Sequence, residues 1–203
     1  MVVEVSASSS RDEIDLIQER TLRVLVLGQI AGSAALAAAV TVGAFVIQEI
    51  LGQDTPWGGI SSATVTVGTG FMAQVLSRLM LRQGRRKGLM LGYSLAIFGG
   101  LIAGLGVETG SLVLFLIGLF LFGNGQSSNL LSRYAATDMA RPDQRGVAMS
   151  RILFASTFGA VFGPVLIKPA EHLGQFLFGW NLYTGPWIFS GVFFLTSLVN
   201  VSL

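Results

Sequence analysis

Polar side chains are scarce in this sequence, and those inside its apolar runs are the first candidates for chemistry. Gln126, Asn129 and Arg133 are spaced by three and four, so a helix would carry them on one face. Thr137 continues that face if the helix persists. Gln29 and Ser33 share a face by the same spacing, as do Ser62, Thr66 and Thr69, whereas Asn124 points elsewhere. Amide, hydroxyl and guanidinium groups in these arrangements can make and release hydrogen bonds. They do not form an activated nucleophile or an acid–base pair. In an apolar helix such groups face either a neighbouring helix or a water-filled cavity. Both readings are open here, and Gln29, Ser33, Gln126, Asn129 and Arg133 are the candidate cavity-lining residues. The small hydroxyls of the 62–69 group suit packing better than binding. An unpaired guanidinium at Arg133 would be costly, so hydrogen bonds to carbonyls or polar side chains of the first or fifth helix are expected.

Several other chemistries are excluded. The chain has no cysteine, so disulfides, thiolate metal sites and thiol nucleophiles are ruled out. His172 is the single histidine and lies in a polar segment that reads as a solvated loop. No Asp or Glu falls near the middle of an apolar run, and Glu49 sits at the end of one. We find no metal-ligand spacing, phosphate-binding glycine loop, catalytic triad or nucleic-acid surface. No catalytic residue, metal, cofactor or nucleic-acid partner is therefore expected, and a membrane-bound enzyme has no support.

The elements that must position these side chains are apolar helices. Of 203 residues, 52% are hydrophobic and only 12% charged, against roughly 25% charged in soluble domains. So few charges cannot cover a water-facing surface. The 26 glycines suit helices that approach closely in lipid. A helix needs about 20 apolar residues to cross the hydrocarbon. Six spans meet that need, at 22–51, 57–81, 88–107, 111–132, 147–167 and 186–203. Residues 1–20 read as a mobile polar tail with no cleavable signal peptide, and 21–203 as a six-helix transmembrane bundle. The turn Gly52-Gln53-Asp54-Thr55-Pro56 and the short Glu108-Thr109-Gly110 turn separate antiparallel neighbours. Segment 168–185 is the longest stretch outside the spans, and Trp180, Tyr183 and Trp187 suit an interfacial aromatic belt.

Orientation follows from Lys and Arg, which stay cytosolic in short loops. Arg11, Arg20, Arg23, Arg78, Arg82, Arg85, Arg86, Lys87, Arg133, Arg141, Arg145 and Arg151 collect on one side. Lys168 stands alone on the other, with Asp54, Glu108 and Glu171. Both ends of the segment are expected in the cytosol, in a multi-pass cell-membrane protein. The sixth span has 17 residues from Trp187 to Leu203 and no basic flank after it. We therefore expect a missing second half beyond it.

Two motifs remain. Between spans two and three the chain reads Ser77-Arg78-Leu79-Met80-Leu81-Arg82-Gln83-Gly84-Arg85-Arg86-Lys87. This is a tight turn at Gly84 flanked by guanidinium groups, either a membrane anchor or a latch that pairs with carboxylates and helix ends. In span five, Gly159 and Gly163 are four apart and make a groove for a close helix, while Pro164 removes a backbone donor and can bend its own helix. Both glycines are expected to face another helix.

The loop resembles the signature between helices two and three of the major facilitator superfamily, Gly-x-Leu-x-Asp-Arg-x-Gly-Arg-Arg/Lys. Leu79, Arg82, Gly84, Arg85 and Arg86 match it; Ser77 replaces its glycine and Leu81 its aspartate. The stretch from Gly159 to Pro164 is similar to the helix-five motif of the family's exporters, Gly-x-x-x-Gly-Pro-x-x-Gly-Gly, whose last two glycines are Ile167 and Lys168 here. Segment 133–146 resembles the family's link between helices four and five. The resemblance implies an all-α membrane protein: half of the family's fold, made of two inverted three-helix repeats, with solute held between two such halves. It implies gating roles for Arg82, Gly84, Arg85, Arg86, Asp138, Gly159, Gly163 and Pro164. With Leu81 in place of aspartate, Asp138 is the counter-charge expected to pair with Arg82 or Arg85. The helix-four arginine of the family's proton-coupled exporters would fall near Leu119 or Leu121 and is missing.

The implied function is secondary transport of a small solute by alternating access, with efflux as an antiporter the direction the helix-five motif suggests. The expected partners are the lipid bilayer, the solute, protons as the family's coupling ion, and the C-terminal six-helix half. A non-transporting receptor or interaction protein that kept the fold is the alternative, as is a half-size protein that pairs with another half.

Overall fold

The computed structural model describes residues 2–52, 56–138, 140 and 142–202, with side chains from Gln18 onward. Asp54, Arg141 and the side chain of Arg11, which entered the charge count, lie outside it. Among the described residues the chain is a bundle of α-helices. The first, α1, covers Val2–Leu51, so the backbone at residues 2–20, expected as a separate tail, continues the helix. A short 3-10 turn at Pro56–Gly59 leads into α2, Ile60–Gln83. Then follow α3 (Arg85–Glu108), α4 (Leu112–Asp138), α5 (Arg145–Val165), α6 (Ile167–Phe178) and α7 (Thr184–Ser202).

Among the described residues, five helical segments are long and apolar enough to cross a membrane: Gln18–Leu51, Arg85–Glu108, Leu112–Asp138, Arg145–Val165 and Thr184–Ser202. The sixth expected span, α2, has the length, 24 residues, but not the hydropathy. Its apolar run is diluted by hydroxyls, several of which bond back into their own helix: Thr64 to the Ile60 carbonyl at 2.7 Å, Thr66 to Ser62 at 2.8 Å and Thr69 to Val65 at 2.8 Å. A hydroxyl satisfied in this way costs little in lipid, and α2 packs along α4 as part of the bundle.

The helices pair as α3 with α4, α1 with α5, α2 with α4, and α7 with both α1 and α3. Glycine sets the closest seam. A methyl group on Gly106 of α3 would meet the Phe115 backbone nitrogen at 2.5 Å, and one on Gly99 would fall on the backbone of Phe122. Between α3, α4 and α7 lies an aromatic core. Trp187 is fully buried and meets Phe115 and Phe122 edge-on, at 5.3 and 5.5 Å between ring centres. This corrects its expected place in an interfacial belt. Thr184–Ser202 begins before Trp187, which puts the indole one turn inside the helix and facing inward. Trp180 and Tyr183 do lie outside the helices, stacked on Phe178 and Phe45.

The expected loop at 168–185 contains α6, whose Ile167, Ala170 and Gly174 are buried while Phe176, Leu177 and Phe178 are exposed. Gly179 ends it at φ +66°, a left-handed cap that glycine adopts without strain. His172 sits on this helix, exposed.

Candidate functional site

A groove of about 670 Å³ runs between α1, α2, α4 and α5. Helix α1 contributes Ser33, Ala37 and Thr41, α2 contributes Ser62, Thr66 and Thr69, and α5 contributes Ser156, Ala160 and Pro164. From α4 come Gln126, Leu130 and Arg133, four and three residues apart on one face. Leu36, Val40 and Val65 make the rest of the wall apolar.

The candidate polar residues divide between this groove and the packed interior. Ser33, Gln126 and Arg133 line the groove. Gln29 and Asn129 do not: both are 1% exposed and buried between helices. Gln29 accepts a hydrogen bond from Ser132 Oγ at 2.9 Å and donates to Ser33 Oγ at 3.4 Å. Asn129 accepts from the Tyr93 hydroxyl at 3.0 Å and fills the space left by Gly32 on α1. The reason is angular. Three residues on from Gln126 is about 60° back around the helix, enough to turn Asn129 from the groove edge into the seam, whereas Arg133, two full turns on, returns to the groove face. Sequence reasoning missed Tyr93 and Ser132, the partners of this buried network. A lone tyrosine in the largely apolar third span was the available signal.

Arg133 lacks the partners expected of it. Its Nε is sealed from solvent without a hydrogen bond, and no ion pair or hydrogen bond to this side chain occurs among the described residues. None of the side chains that α1 and α5 contribute to the groove bonds it, and Ala37, Ala160 and Pro164 among them have no side-chain polar atom. Gln126 likewise has no hydrogen bond among the described residues. The other hydroxyls are occupied: Thr41 donates to the Ala37 carbonyl at 2.9 Å, Ser62 to Gly59 at 3.0 Å and Ser156 to Leu153 at 2.6 Å.

At the arginine-rich end, Gly84 joins α2 to α3 with φ +91°, a conformation that suits glycine. The turn aims Arg85 at the end of α4. Its Nε donates to Asp138 Oδ2 at 2.8 Å and its Nη2 to Oδ1 at 3.4 Å, a two-point pair. Of the two arginines expected to meet Asp138, the structure selects Arg85; Arg82 is exposed and has no ion pair among the described residues. Arg86 donates to the backbone carbonyl of Ser202 and so ties α3 to the end of α7. Leu81, where the resembling signature has aspartate, is 83% exposed.

The α5 glycines lie flat against α1. A methyl group on Gly159 would collide with the Ile30 carbonyl and with Ser33 Cβ at 2.6 Å; on Gly163 it would collide with the Ala34 carbonyl and with Ala37 Cβ at 2.9 Å. Pro164 borders the groove, and α5 ends one residue later, with Leu166 as the joint to α6. At the opposite end of the bundle, Asn181 bonds two carboxylates, its backbone N–H donating to Glu108 at 2.7 Å and its side-chain amide to Glu49 at 2.9 Å. Glu49 is therefore an exposed end group that does not line the groove.

The sequence profile of the Major Facilitator Superfamily matches residues 20–203, nearly the whole chain. The chain belongs to this superfamily. Its relatives in the superfamily include the uncharacterized MFS-type transporters YdeG and YddS of Bacillus subtilis (strain 168). YdeG is 40% identical over 160 residues, 79% of this chain and 37% of the relative. YddS is 34% identical over 186 residues, 92% of this chain and 42% of the relative. The riboflavin transporter RfnT of Brucella anthropi is 26% identical over 148 residues, 73% of this chain and 37% of the relative. The chain thus spans less than half the length of each. Superfamily membership and the long apolar helices make it a multi-pass membrane protein.

Proposed function

We propose that this segment is one half of a secondary transporter that moves a small solute across the membrane by alternating access. The observation that carries the reading is the groove between α1, α2, α4 and α5, which holds a free guanidinium and a free amide in an otherwise apolar helix bundle. Polar groups left unpartnered among apolar helices favour a water-filled path over a packing seam. A second six-helix half closes the groove from the open side, and the solute sits between the two. Gly84, Arg82, Arg85, Arg86 and Asp138 form the gate at the arginine-rich end, which faces the cytosol of a cell-membrane protein. Gly159, Gly163 and Pro164 let α5 slide and bend along α1. Outward movement is the direction favoured by the helix-five motif. Any coupled proton is carried outside the groove, at Glu49 or in the other half, because no carboxylate lines it.

The test needs no knowledge of the solute. Thr66→Cys in the full-length protein, with any cysteine outside this cysteine-free segment replaced, places a thiol in the groove. With alternating access, an impermeant thiol reagent modifies it from either side of the membrane, and locking the gate suppresses one side. A thiol that reacts from neither side overturns the reading.

A further inference from the structure

We infer that the groove recognises an amphipathic organic anion, with Arg133 as its charge partner and Gln126 and Ser33 as supporting donors. The inference deepens the transporter reading and rests on it. It starts from which hydrogen-bonding capacity in the groove is unspent. Thr41, Thr66, Thr69 and Ser156 each donate to a backbone carbonyl of their own helix, and Ser62 to Gly59 in the turn before α2, so what they offer inward is acceptor oxygen. The donors left over are the Arg133 guanidinium, the Gln126 amide and the Ser33 hydroxyl, which receives the Gln29 amide and keeps its own proton. No Asp or Glu lines the groove, and Asp138, five residues beyond Arg133, is held by Arg85 at 2.8 Å. Among the described residues, this half of the groove therefore carries one positive charge without a paired carboxylate.

A cation against apolar walls focuses its field into the cleft and raises the local concentration of anions. A guanidinium also matches a carboxylate, sulfonate or phosphate with two parallel hydrogen bonds. Leu36, Val40, Leu130 and Ala160 leave apolar wall for the rest of the molecule. A volume of about 670 Å³ lies within the range of small-molecule sites. A cationic solute would meet repulsion from Arg133 and no compensating carboxylate among the described lining residues of this half. A fully polar one would desolvate against the apolar wall without return.

The experiment uses the full-length protein with Thr66→Cys in phosphatidylcholine vesicles, so that no lipid anion competes. The rates of modification by an anionic and a cationic methanethiosulfonate are compared with their ratio on a free thiol. The anionic reagent should be favoured by about tenfold, the lower end of what a focused charge does in a cleft. Arg133→Gln should abolish the preference and Arg133→Lys should keep most of it. In the same assay, 2-naphthalenesulfonate should protect the thiol at lower concentration than the neutral 2-naphthalenesulfonamide, and Arg133→Gln should erase the difference. Reaction with both reagents but no charge preference, or a preference that survives Arg133→Gln, overturns the anion assignment and leaves the transporter reading standing. A thiol that neither reagent reaches overturns both.

Discussion

Arg85 and Asp138 show how far a single residue's role can be pressed. Both side chains are partly exposed, at 39% and 44%, so their pairing contributes only about 0–1 kcal/mol to stability. Its weight is conformational: a contact made in one gate state and broken in the other shifts the balance between them by its full value. Asp138→Arg should therefore lower transport while leaving the amount of folded protein near normal. Adding Arg85→Asp should restore part of the activity. Adding Arg82→Asp should not, because Arg82 forms no ion pair here. Rescue by either partner alike would show that only the net charge of this end matters. Asp138 was legible in the sequence as the acidic residue closing a helix opposite a basic turn. The choice between the two arginines was not, because it depends on the backbone direction that Gly84 imposes. Gln29 and Asn129 were misplaced for a similar reason. Spacing puts residues on a face, but a face is about 100° wide, and its edge belongs to the neighbouring helix.

At the scale of elements, the seam between α1 and α5 sets the strictest demand. Small residues on both sides, Gly159 and Gly163 against Ser33, Ala34 and Ala37, bring the backbones into contact. Gly163→Leu should then cost well over the roughly 1–3 kcal/mol of ordinary overpacking, because the obstacle is the Ala34 carbonyl and not a mobile side chain. The measurement is the yield of monodisperse protein in detergent, with Gly146→Ala as control; a methyl group there meets nothing within 4 Å. Equal yields from both variants would deny the seam any structural role. The expected spans matched the observed helices closely at 88–107 and 147–167, since apolar runs with charged flanks have few alternatives. Two elements were harder. The hydroxyls of α2 lower its hydropathy although its own carbonyls satisfy several of them. In α6 the apolar residues split between a buried and an exposed face, which composition alone reads as loop.

For the whole molecule, the charge pattern and the fold make one connected statement about direction in the membrane. Alternating antiparallel helices carry the basic residues to a single end: Arg78 and Arg82 close α2, Arg85 to Lys87 open α3, Arg133 lies in the last turns of α4, and Arg145 and Arg151 begin α5. Lys168 is at the other end, in the first turn of α6, where its charge acts on Glu171. Lys and Arg in short loops are retained on the cytosolic side during insertion, and the anionic inner leaflet then attracts each by about 1 kcal/mol. This bias is what supports the proposed topology, with the arginine-rich end in the cytosol. The absence of cysteine from this segment makes the consequence measurable once any cysteine outside it is replaced. Gln83→Cys lies in the exposed last turn of α2 at the arginine-rich end, and Gln175→Cys is exposed on α6 at the opposite end. In intact cells an impermeant maleimide should label Gln175→Cys and spare Gln83→Cys until the membrane is permeabilised. The opposite pattern would invert the topology. It would also move the Arg85–Asp138 gate to the outer face, where the charge-swap phenotype would have to be read as control of the external opening.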